Sequence, residues 1–302
     1  MTNYLGALAS AVVLGAIPAP AAPLSCTVTV GVERHYLLVV PGSYDGRTPV
    51  PLVFVFHGAG NTSADLQKNI GLSELAEEKG FIAAFPDGIG KRWNGGISPP
   101  DSFASARSDD VRFVAAMIDQ LSVRYRIDLK RVYATGSSNG AVFCYTLACR
   151  LPDRIAAIAP VSGLLAQACA EDHPPAGAVS VIAFNGTDDP LLPYDGVRRP
   201  GGGLLSVTDT IAFWATANQC DPKPTVTRDP PSPLDSGLVI CRIAFHDGAR
   251  HSAVESFVIV HGGHTWPGHR TDPTWAKTAG RTAMSISANA LMWDFFLRHP
   301  KS

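Results

Sequence analysis

The chain has 302 residues, of which 46% are hydrophobic and 17% charged, with a formal net charge of −1. That length suits one large hydrophobic core, and a near-neutral balance without a basic run argues against nucleic acid and anionic membrane surfaces as partners. Beyond the first residues no long apolar stretch occurs, so no membrane span is expected in the mature chain.

Residues 1–21 read as an export signal, because the apolar, small-residue segment 4–17 is followed by Ala19 and Ala21 as small residues for a peptidase. Cleavage is expected after Ala21, which leaves 22–302 as a single secreted, extracellular domain. The segment lacks the usual Lys or Arg at its start. Cys26 does not complete a lipid-attachment motif, since Leu24 stands one place too close to it.

The mature chain then alternates strands and helices. Apolar runs at 35–40 and 52–56 read as strands, the second flanked by proline and ending in a glycine turn. A helix over 65–79 precedes a strand at 81–85 and a long loop, 86–107, that carries Trp93 and Asn94. The clearest helix follows: Val111, Val114, Ile118, Leu121 and Tyr125 recur at spacings of three and four. Ser108 can cap that helix, and Asp109 and Asp110 favour its positive end.

Next comes Arg131-Val132-Tyr133-Ala134-Thr135-Gly136-Ser137-Ser138-Asn139-Gly140, a short strand, a tight turn and the start of a helix. In such an elbow the central serine is strained, and the residues two before and two after it must be tiny. Gly136 and Gly140 satisfy this for Ser138. Ser137 has Thr135 and Asn139 in those places, so Ser138 is the candidate nucleophile.

Strands at 155–161 and 179–185, a helix at 208–218, a weak strand at 225–228, strong strands at 239–245 and 256–260, and a closing helix at 285–297 complete the series. Such alternation predicts the α/β class, a mostly parallel sheet with helices on both faces and ligands at the carboxyl ends of the strands.

Three strand ends carry chemistry. After Phe56, His57-Gly58-Ala59-Gly60 can aim backbone N–H groups at an oxyanion, with Ala59 the candidate donor and the N–H of Asn139 the second. His57 precedes the serine, whereas this class places its histidine last, so it is read as holding its turn. Asp188 and Asp189 compete to orient a histidine, and His261 and His264 lie on a glycine-rich loop that can return an imidazole to Ser138. The order Ser, Asp, His fits an α/β-hydrolase. A metal reading of His261, His264 and His269 lacks a nearby carboxylate at ligand spacing and leaves Ser138 unexplained.

Six cysteines fit an oxidising compartment. Cys149 with Cys169 and Cys220 with Cys241 are the favoured pairs, since each joins neighbouring elements; Cys26 and Cys144 stay unassigned.

With these residues in place, the chain resembles the secreted esterase family that includes polyhydroxybutyrate depolymerase-like proteins and the feruloyl esterases of carbohydrate-esterase family 1. The likeness rests on residues 51–60, Phe-Pro-Asp-Gly and Trp-Asn within 80–94, residues 109–140, Ala-Pro-Val-Ser-Gly at 159–163, Gly186 to Tyr194, and Gly-Gly-His-Thr-Trp-Pro-Gly at 262–268. It implies an α/β-hydrolase fold, an ester substrate, no metal or organic cofactor, Asp189 as the triad acid and His264 as the base. Trp93 and Trp266 are expected to line the cleft. The chain ends directly after its closing helix, without a polymer-binding module, which favours soluble feruloyl or other small aryl or carbohydrate-linked esters. Polyester depolymerisation is the alternative, and an idle binding protein on a hydrolase scaffold is the rival of another class.

Overall fold

Strand β3, Val50–Phe56, shows why the chain forms layers: Leu52, Phe54 and Phe56 join one apolar cluster while Val53 and Val55 join another. A strand with both faces apolar can only be stable between two covering layers. The structure, a computed structural model, describes residues 22–96, 109–199 and 202–302. The export-signal expectation for residues 1–21 and the capping role expected of Ser108 lie outside these residues.

Ten strands form one sheet. They are β1 (Leu24–Val30), β2 (Val32–Val39), β3, β4 (Ile82–Pro86), β5 (Ile127–Ser137), β6 (Ala157–Val161), β7 (Ser180–Gly186), β8 (Thr225–Arg228), β9 (Val239–Phe245) and β10 (Val254–Val260). Their order is β1-β2-β4-β3-β5-β6-β7-β10-β9-β8. The run from β4 to β10 is parallel throughout, whereas β1, β2, β8 and β9 pair antiparallel at the margins. This is the α/β-hydrolase arrangement expected, with the parallel part confined to the middle.

One face is covered by α3 (Asp110–Arg124), α4 (Asn139–Arg150) and α6 (Val207–Ala217), which bury Phe113, Met117, Phe143, Leu147, Ile211 and Trp214. The other face is covered by α1 (Ser63–Asn69), α2 (Leu72–Lys79) and α8 (Ala288–Arg298). Trp293 of α8 stacks on Phe81 with ring centroids 4.5 Å apart, and Phe296 on Tyr133 at 4.4 Å. Asp109 caps α3 by accepting the N–H of Arg112.

Three elements escaped the sequence reading: β1, α5 (Gln167–Asp172) and α7 (Pro273–Ala279). The helix expected over 65–79 is two helices. Gly71 takes the left-handed conformation at φ 64°, and Asn289 of α8 donates to the Ile70 carbonyl freed at the break.

Neither expected disulfide is formed; all six cysteines are free thiols. Cys149 and Cys169 are nevertheless close neighbours. Contact with Cys169, together with burial, raises the Cys149 pKa.

Candidate active site

Ser138 stands between β5 and α4 with φ 57° and ψ −121°, a conformation L-residues avoid. Its N–H donates to Val161 O on β6 at 3.0 Å, which fixes the turn. The elbow depends on its two glycines: a Cβ on Gly136 would lie 2.7 Å from Phe56 O, and one on Gly140 would press into the carbonyls of Phe56 and, at 2.7 Å, His57. Strand β3 thus passes directly behind the elbow. The loop that leaves it crosses close to the serine, since a Cβ on Gly58 would be 3.4 Å from Ser138 Cβ.

The neighbouring strand ends supply the ionisable pair. Parallel pairing sets Gly186 of β7 beside Ile259 of β10, and the loops beyond are laced by Thr187 N–H to Ile259 O and Asp188 N–H to Gly262 O. A side chain at Gly186 would collide with the backbone of Gly262, so the two loops can touch only because residue 186 is glycine. Asp189 Oδ2 lies 2.7 Å from His264 Nδ1, both side chains almost wholly buried. Its other oxygen, Oδ1, accepts the N–H groups of Leu191 and Leu192, each at 2.8 Å. His264 is held in turn by its own N–H, which donates to Ala279 O of α7.

Asp188 and His261 form a separate, exposed pair at 3.2 Å, with Thr187 Oγ1 donating to Asp188 and accepting the His261 N–H. The Thr187 hydroxyl, ahead of the His261 imidazole, holds the Asp188 carboxyl below its usual range. His269 meets neither pair; its Nε2 faces the Asn289 amide at 3.0 Å. The three histidines weighed as metal ligands therefore face three different partners. Ser162 Oγ donates to Thr265 O, tying the histidine loop to the strand end that anchors Ser138. Ser138 Oγ itself makes no hydrogen bond among the described residues.

Neither Ala59 N–H nor Asn139 N–H has an acceptor among the described residues. His57 is fully buried and serves its own turn: Nε2 accepts the Gly88 N–H at 3.0 Å, so Nδ1 carries the proton and donates to Gly58 O at 2.8 Å. Burial lowers its pKa.

Two expectations are corrected. Trp93 and Trp266 do not line a cleft. Trp93 is 2% exposed, stacked on Phe143 and edge-on to Phe56, with its indole N–H donated to His57 O. Trp266 is buried against the layer of α8, its N–H taken by Asn289. In both cases the ring fills core volume and its only donor is already used. Of the five tryptophans only Trp275 is exposed, at 46%, on α7 one turn before Ala279. A cavity of about 200 Å³ lined by Arg228, Asp235, Leu238, Ile240 and Ser285 lies by β8 and β9 and contains none of the residues above.

A buried carboxylate–imidazole pair, a strained serine and two unoccupied N–H groups are the parts of acyl transfer by a nucleophilic hydroxyl. The sequence comparisons agree with that chemistry. The model of the family described as "Esterase PHB depolymerase" matches residues 34–198. NocK of Nocardia uniformis subsp. tsuyamanensis, assigned as an esterase, is 28% identical over 89% of this chain and 81% of its own length. Feruloyl esterase C of Emericella nidulans is 29% identical over 56% of this chain and 62% of its own. Among solved structures, the acetyl xylan esterase from Aspergillus awamori superposes over 80% of this chain and 94% of that one, with a TM-score of 0.58 at 17% identity. That likeness extends to the fold.

Proposed function

The chain belongs to the esterase PHB depolymerase family and is a carboxylic ester hydrolase, and we propose that it works through a serine acyl-enzyme formed at Ser138. The observation that carries this reading is the Asp189 carboxylate, one oxygen bound by two backbone N–H groups and the other by His264 Nδ1. So held, it fixes the imidazole with the Nδ1 proton inward and Nε2 free to accept a proton.

In the first step Ser138 Oγ bonds to the ester carbonyl carbon while its proton passes to His264 Nε2. The carbonyl electrons move to oxygen, where the N–H groups of Asn139 and Ala59 meet the negative charge, aided by the N-terminus of α4. Collapse of the tetrahedral species breaks the carbon–alkoxy bond, and His264 returns the proton to the leaving alcohol. Water repeats the sequence on the acyl-enzyme, releasing the acid and regenerating the Ser138 hydroxyl.

The substrates proposed are feruloyl or other carbohydrate-linked or small aryl esters. The support is that relatives over half of the chain are named feruloyl esterases. The exposed indole of Trp275, on the helix that holds His264, is suited to stack on an aromatic acyl group or a sugar face. The family description keeps polyester depolymerisation as the second reading. Export through residues 1–21 and a single catalytic domain over 22–302 belong to the same proposal; no helix among the described residues is long and apolar enough to cross a membrane.

The test is fluorophosphonate labelling with peptide mapping, followed by assay on feruloyl esters, short acyl esters and a hydroxybutyrate oligomer. Label on Ser138 with turnover of feruloyl esters is the expected result. Absence of label at Ser138 overturns the mechanism, and cleavage of the hydroxybutyrate oligomer without feruloyl hydrolysis transfers the substrate to polyester.

A further inference from the structure

The two N–H groups assigned to the oxyanion come from different strand ends: Ala59 follows β3, and Asn139 follows β5. Their relative placement must be held to a fraction of an ångström for both to reach one oxygen. Backbone pairing of β3 with β5 ends at Phe56 and Gly136, short of both donors. Something beyond the sheet has to set the spacing.

The loop after β4 does so. Its Trp93 backbone is gripped at both ends by the Asn139 side chain, which accepts the Trp93 N–H on Oδ1 at 2.7 Å and donates Nδ2–H to Trp93 O at 3.1 Å. The Trp93 indole then donates to His57 O at 3.0 Å, two residues before Ala59. The same loop meets the Ala59 turn twice more, through Gly88 N–H to His57 Nε2 and Gly60 N–H to Lys91 O. The far side of the loop is fixed as well: Asn94 N–H donates to Asp110 Oδ2, and Asp110 is paired in the interior with Arg34 at 2.9 Å. Trp93 is wedged against Phe56 and Phe143, so it cannot yield without disturbing the core.

We infer that the Asn139 side chain and the Trp93 indole act in series as positioning groups, setting the distance between the Asn139 and Ala59 N–H donors. Neither side chain touches substrate. The residue that lends its N–H to the oxyanion therefore also braces, through its amide, the loop that carries the other donor. The inference rests on the proposed serine mechanism but adds a separate claim about how its anion site is built.

The variants are Trp93→Phe, which keeps an aromatic ring against Phe56 and Phe143 but removes the donor to His57 O together with part of the ring volume, and Asn139→Ala, which keeps the backbone N–H and removes the grip on Trp93. Kinetics use p-nitrophenyl acetate, with an aryl boronic acid as the tetrahedral anion mimic. Each variant is expected to lose at least about tenfold in kcat with KM within about twofold, because a displaced donor weakens the transition state more than the ground state. Boronate affinity should fall in parallel with kcat/KM. The double variant should be no worse than about the poorer single one, since two links in one chain fail together.

Folded single variants with kcat within about twofold of wild type overturn the inference, as does a double variant whose loss is the product of the two. Should Asn139→Ala fail to fold, Trp93→Phe alone decides the matter by the kcat and boronate criteria. Wild-type protein that hydrolyses no ester would instead overturn the serine mechanism, and is seen before any variant is made.

Discussion

Replacing Asp189 by Asn tests the geometry of the site most directly, because the two side chains have the same shape and differ in where hydrogen can go. In the native site Oδ1 accepts two backbone N–H groups and Oδ2 accepts from His264 Nδ1. An asparagine has one acceptor and one donor end. Turning its NH2 toward Leu191 and Leu192 would face two N–H donors with a third donor group, so the amide is forced the other way, with its NH2 toward His264. Nδ1 must then accept, the proton moves to Nε2, and the imidazole can no longer take the proton of the proposed nucleophile there. For serine triads an equivalent change of tautomer lowers kcat by about 10⁴, which is about 5.5 kcal/mol of transition-state stabilisation. The fold should survive, since both bonds to Leu191 and Leu192 remain. Asp188→Asn serves as the control: its carboxylate is exposed and bound to Thr187 and His261, away from the buried pair, so kcat should change less than about threefold. The assay is p-nitrophenyl ester hydrolysis alongside circular dichroism and thermal melting. Asp189→Asn retaining a tenth of wild-type kcat, or Asp188→Asn proving the more damaging, would refute the assignment.

Other outcomes follow from the same contacts. Ser138→Gly should abolish turnover and raise Tm, because about 1–3 kcal/mol of backbone strain is relieved at φ 57° while the added chain freedom costs only about 0.5–1 kcal/mol; a lower Tm would show that the elbow is unstrained. Thermal stability should decline as pH falls below the ordinary histidine value of 6.5, because burial depresses the pKa values of His57, His269 and His299. The unfolded chain then binds protons that the folded chain refuses, and stability rises with pH through the window from the depressed values up to 6.5. A flat Tm from about pH 5 to 7 would count against this. Under oxidising conditions Cys149 and Cys169, close neighbours in the fold, should close a disulfide loop worth roughly 3 kcal/mol, with Tm falling on reduction; non-reducing peptide maps that find both thiols free would contradict it.

Sequence by itself determined what short-range sterics and periodicity determine. Ser138 rather than Ser137 follows from which neighbours lack a Cβ, and the structure explains that demand by the approach of Phe56 and His57 to Gly136 and Gly140. The unbroken apolar run of β3, in a chain that alternates strands and helices, likewise announced a sheet covered on both faces. Tertiary structure decided whatever depends on partners distant in the chain. Asp188 and Asp189 are chemically identical neighbours; apart from the family resemblance nothing in the sequence separates them, and the fold does so by sending one toward solvent and the other toward His264, 75 residues away. The helix expected over 65–79 breaks at Gly71, and Asn289, 219 residues on from Ile70, takes up the carbonyl freed there. Trp93 and Trp266 read as cleft aromatics because a tryptophan beside a motif looks the same whether its ring faces solvent or core. Their indole N–H partners, His57 O and Asn289, exist only once the layers have packed. Local backbone preference is written in a few adjacent residues, whereas the direction a polar or aromatic side chain takes is set by the nearest donor, acceptor or void that the fold brings to it.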